Sequence, residues 1–94
     1  MNTYKEAIEH GLYFNGVKLV QESIDRCIDE MISINKGCIN EVASGEVRVN
    51  DNESYFKHCN KWIDKYKNRD FNISLTFLQH AYYIQTNESV ALLP

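Results

Sequence analysis

Gly16-Val-Lys-Leu-Val-Gln-Glu-Ser-Ile-Asp-Arg-Cys-Ile-Asp-Glu-Met-Ile-Ser-Ile-Asn-Lys36 is the stretch whose reading decides the fold. Val20, Ile24, Cys27, Ile28, Met31 and Ile34 recur at helical spacing, which makes one face of a helix apolar over about four turns. Glu22, Arg26 and Glu30 stand four apart on the outside, the spacing of ion pairs along a helix. Asn15 is placed to act as N-cap, with Phe14 stapled onto Leu19. Gly37, directly after Lys36, sits where a C′ glycine ends a helix. Together these residues predict a helix over 16–36. Asn15-Gly16, between Leu-Tyr-Phe and Val-Lys-Leu-Val, has a second reading as a type I′ hairpin turn. The long periodicity behind it favours the helix.

Upstream, Thr3-Tyr-Lys-Glu6 matches a capping box, in which Thr3 caps the helix and Glu6 reaches back to it. Tyr4, Ile8 and Leu12 continue the period, so a short helix is expected over 4–14. Downstream, 38–50 holds mixed signals. Cys38-Ile39-Asn40-Glu41-Val42-Ala43 could make a helical turn. Glu46-Val47-Arg48-Val49 alternates, and Ser44-Gly45 could turn a small hairpin. An irregular connection with extended character is the expectation there.

Asn50-Asp-Asn-Glu53 repeats the cap pattern. Tyr55, Phe56, Cys59, Trp62, Ile63 and Tyr66 then form a wide apolar stripe, predicting a helix over 51–67. Phe71 and Ile73 read as an extended lead-in to a helix over 74–86, with Ser74 or Thr76 as cap and Asn87 as close. An apolar tail, Ser89-Val-Ala-Leu-Leu-Pro94, follows. Pro94 is the only proline, so no helix is interrupted from within. The fold class expected is mainly α. A small four-helix bundle-like domain spans 1–94, with a short β-hairpin or extended segment around 38–50.

Composition bounds the function. The chain has 94 residues, 44% of them hydrophobic and 12% aromatic, which argues for a packed core over disorder. No apolar run is long enough for a membrane span. A net charge of -3 fits neither a strongly basic nucleic-acid binder nor an acidic mimic. Three cysteines without C-x-x-C spacing do not form a disulfide framework. No secretory signal opens the chain, so a reducing, cytoplasmic setting is expected. Abundant Asn, Ile, Lys and Tyr suggest an AT-rich gene, as in many phages and mobile elements.

No catalytic or cofactor motif occurs, so no catalytic residue and no cofactor are expected. His58 and Cys59 are neighbours on a helix and point about 100° apart. A metal site would need Cys38 and His10 or His80 to join them by tertiary coincidence, so none is expected. The charge is unevenly spread. Residues 57–69 hold five basic residues and one acidic, whereas residues 1–50 hold five basic and eight acidic. Lys57, Lys61 and Lys65 form one stripe along the Trp62 helix. The plain reading of such a stripe is a solvated face; the functional one is a surface for an acidic partner or for phosphates. Three aromatic doublets (Tyr13-Phe14, Tyr55-Phe56 and Tyr82-Tyr83) give more aromatic surface than a core of this size readily absorbs.

These signals favour a small non-enzymatic protein that binds a protein partner, with Tyr13, Tyr83, Lys57, Lys61 and Lys65 as contact residues. Steric occlusion, as by a regulator or inhibitor of phage or mobile-element origin acting on a host enzyme or defence complex, is the mechanism expected. Self-association is a further expectation. The alternative is nucleic-acid or nucleotide binding through the lysine face.

Overall fold

The computed structural model describes residues 2–87. The chain runs through α1 (Tyr4–His10), β1 (Tyr13–Phe14), β2 (Val17–Lys18), α2 (Gln21–Ala43), α3 (Asn52–Lys67) and α4 (Leu75–Asn87). The protein is mainly helical, with one short antiparallel hairpin among the described residues. The apolar tail expected at 89–94 lies outside those residues.

α1 begins as its sequence dictates. Thr3 accepts from the Glu6 backbone N–H, and the Glu6 carboxylate accepts from Thr3 in return. The helix stops at His10, not near residue 14, because Gly11 takes φ +86. Asn15 and Gly16 both adopt positive φ, the requirement of a type I′ turn. The hairpin reading is therefore the correct one, with Tyr13 opposite Lys18 and Phe14 opposite Val17. This also moves the β element: it lies at 13–18, and residues 38–43 are helical. Asn15 is a turn residue and not the N-cap of α2, so the staple of Phe14 onto Leu19 has no helix start to serve; the Phe14 ring packs 5.3 Å from that of Tyr82 on α4.

α2 starts at Gln21 and runs through Gly37 to Ala43. Gly45, at φ +85, is the glycine that closes it, donating to the Val42 carbonyl. Its first residue has no side-chain cap of its own, because Val20 precedes it. Gln85 of α4 resolves that end. Its Oε1 accepts from the Val20 N–H at 2.8 Å, and its Nε2 donates to the Lys18 carbonyl at 3.0 Å. One buried amide thus satisfies two backbone groups and ties α4 to the strand-to-helix junction.

α3 opens on Asp51, whose carboxylate accepts from the Ser54 N–H and hydroxyl. It closes with Arg69 at φ +55: Arg69 and Asp70 donate to the carbonyls of Tyr66 and Lys65, a Schellman pattern on a non-glycine residue. The Arg69 guanidinium also reaches the Tyr66 carbonyl and pairs with Asp25 at 3.5 Å. Arg69 is therefore engaged at the helix end and with α2. Phe71 and Ile73 are buried on either side of exposed Asn72, which bridges to Thr3. Ser74 then caps α4 through the Phe77 N–H.

The main core gathers at one end of α2. Ile24, Cys27 and Ile28 meet Tyr4, Leu12, Leu19, Phe71, Phe77, Ala81 and Ile84. α4 packs on α2 and β1, whereas α3 packs on α2 alone among the described elements. Beyond Ile34, which is 53% exposed, α2 and α3 continue as a two-helix arm whose buried side chains are Val42 and Cys59.

Candidate partner-binding surface

α3 has two flanks with different neighbours. Tyr55, Cys59 and Ile63 fall on the flank turned to α2, where Cys59 and Ile63 are buried. One residue further round the helix, Phe56 turns about 100° from Tyr55 and is only half-buried. It joins Asn52, Glu53, Lys57, Asn60 and Lys61 in lining a shallow, open groove along the helix, formed by α3 side chains alone. Asp64 closes the far end. The spacing explains the groove: Asn52, Phe56 and Asn60 stand four apart, beside Glu53, Lys57 and Lys61 in the adjacent row. Phe56 supplies an apolar floor, the asparagines supply donors and acceptors, and the lysines bring positive charge to the rim.

The sequence-expected contact residues divide into three places. Lys57 and Lys61 are exposed and line this groove. Lys65, on the same helix, is half-buried and holds its ammonium 5.8 Å from the centre of the Trp62 ring, a cation–π contact. Tyr13 is 56% exposed on β1, with its ring beside Gly11 and Lys18. A Cβ at Gly11 would approach that ring to 3.2 Å. Tyr83 is 55% exposed on α4 and stacks on His80, whose Nε2 lies 2.9 Å from the Glu30 carboxylate of α2. The α3 groove contains neither tyrosine, so the five residues do not share one groove. Phe56, Asn52 and Asn60 complete the lysine groove. Their four-residue spacing was the available signal, but it does not say which flank α2 covers.

A second cleft, about 540 Å³, lies between α1 and the start of α2. Ile8, Leu12, Leu19 and Ile24 make its walls, with His10 and Lys18 at its edge. Among the described residues, no cluster of three or more His, Cys, Asp or Glu could hold a metal ion. Cys27 is a core thiol: burial, with Glu30 nearby, pushes it up to about 12, and its Sγ lies 3.7 Å from the Phe77 carbonyl. It is protonated at neutral pH and unsuited to nucleophilic work. No helix among the described residues is long and apolar enough to cross a membrane.

No family model, curated protein or solved structure matches this chain.

Proposed function

We propose that this protein is a small, non-enzymatic, cytoplasmic binding module that engages a partner protein through the outer face of α3. The observation that carries the reading is that α2 is the one described element α3 packs on, with Trp62 and Tyr66 turned to the core and Phe56 on the opposite flank beside Lys57 and Lys61. The occupant that fits is an amphipathic helical segment of the partner, with an apolar side chain over Phe56 and carboxylates at Lys57 and Lys61. Binding there would act by occlusion, as a regulator or inhibitor does. The exposed rings of Tyr13 and Tyr83 offer a separate contact on the β1 and α4 side. The groove also contains Glu53 and Asp64, which balance the two lysines and favour a protein surface over a phosphate backbone.

The test is capture of partners from the cell that encodes the chain, using wild type beside the double variant K57E/K61E. Both lysines are exposed, so the variant should melt at the wild-type temperature. A stoichiometric protein held by wild type and lost by the variant is the expected result. Equal capture by the two, or salt-sensitive nucleic acid as the sole ligand, would overturn the reading.

A further inference from the structure

α4 has an outer face that is separate from the α3 groove. Phe77, Ala81, Ile84 and Gln85 are buried on its inner side. Leu75, Gln79 and Tyr83 stand four apart, so they share one row along the outer side. All three are exposed, Leu75 at 57% and Tyr83 at 55%. Contacts with other elements close the two edges of this row. Tyr82 packs on Phe14 of the hairpin, and His80 reaches Glu30 of α2. His80 also stacks on Tyr83, which restrains that ring before any contact is made. At the helix end, Thr86 and Asn87 turn their side-chain donors to the Tyr82 and Tyr83 carbonyls. The exposed row is therefore two large apolar side chains around one amide. α4 also contains no Asp, Glu, Lys or Arg, although the chain has 13 acidic and 10 basic residues.

The charge pattern selects the occupant. A face without charge gives a different protein no electrostatic steering and no register. Against its own copy, the same face brings no like charges together. The row is also self-complementary. Leu75 and Tyr83 lie four residues on either side of Gln79, about 6 Å each way along the axis. A two-fold axis at Gln79, with the helices antiparallel, sets Leu75 of each copy against Tyr83 of the other. It also sets Gln79 against Gln79, where each amide has a donor and an acceptor to exchange. We propose that α4 is a homodimer interface, in which the Leu75–Gln79–Tyr83 row pairs antiparallel with the same row of a second copy. A helix of 13 residues is about 20 Å long, so the buried area falls below the ~1,600 Å² of a standard interface. The dimer is therefore weak and depends on concentration.

The experiment is sedimentation equilibrium of the purified chain alone, from roughly 10 μM to 1 mM, the range in which so small an interface should fill. The mass should rise from 11.0 kDa towards twice that value. L75E and Y83K should each weaken the dimer about tenfold or more. Both positions are exposed, so both variants should melt close to wild type in dilute solution. An equimolar mixture of L75E and Y83K should associate more tightly than either variant alone. Antiparallel pairing then keeps one native Leu75–Tyr83 contact and sets the two new, opposite charges against each other. A wild-type monomer throughout the series would overturn the proposal. So would a dimer that both variants retain. A mixture no tighter than its components would also overturn it, since parallel pairing gives that result. No other protein is present in the measurement, so failure here is separable from failure of the α3 reading.

Discussion

The two ends of α2 differ in how they are surrounded. The first turns carry Ile24, Cys27 and Ile28, enclosed by α1, the hairpin, Phe71 and α4. The last turns face α3 alone and bury Val42. The first end is held by side chains far apart in sequence, with Gln85 reaching Val20 and Lys18 and His80 reaching Glu30. The arm is held by a helix pair, the Asp51 cap and the Gly45 close. The difference teaches where stability and surface reside. Packing on several sides fixes the fold, and one-sided packing leaves a helix face available for contact.

Substitutions at the enclosed end should break the molecule most. Ile28 is fully buried, and Ile28→Ala should cost about 3–4 kcal/mol in denaturant unfolding. Val42→Ala, in the arm, should cost less. Gln85→Ala comes next. It leaves the Val20 N–H and the Lys18 carbonyl without their partner, and should cost about 2–3 kcal/mol. A melting curve that ignores Gln85→Ala would mean that the junction is held another way. Gly37→Ala should sharpen the contrast in the opposite direction. Gly37 lies within α2, and a Cβ there meets open space, so alanine should stabilise by about 0.5–1 kcal/mol.

The smallest effect is local and depends on pH. Hydrogen bonds from the Ser54 hydroxyl and N–H hold the Asp51 carboxyl below its usual range. The folded value is lowered, so the cap's contribution is complete above the ordinary aspartate pKa near ~4. It is lost as pH falls through the lowered folded value. Amides in the first turn of α3 should lose protection at acid pH while those around Ile28 keep it. Asp51→Asn, which still caps but does not titrate, should remove that dependence.

The helical class was legible because Val20 and Tyr55 each start apolar periods that span several turns, and because Thr3 caps α1 as its spacing implies. The cap of α3 falls one residue later than the Asn50–Glu53 spacing predicts, on Asp51 with Ser54 as its partner. The hairpin was harder. Asn15-Gly16 supports two local readings, and the bonds that secure its exit come from Gln85, more than sixty residues away. Gly37 looked like a helix end because glycine is a poor helix former, yet α2 continues through it on its contacts with α3. Of the candidate site, the lysine stripe was visible as spacing. That Phe56 belongs beside Lys57 and Lys61, and that Lys65 sits over Trp62, depends on which flank of α3 meets α2. Periodicity locates a stripe but does not choose its neighbour.

The division between an enclosed end and an exposed arm is tested most directly by native-state hydrogen exchange resolved along α2. Amides from Ile24 to Ile28 should exchange only through global unfolding. Those from Cys38 to Ala43 should exchange through a smaller opening, at least tenfold faster, corresponding to ~1.4 kcal/mol. Uniform protection from Ile24 to Ala43 would contradict the account.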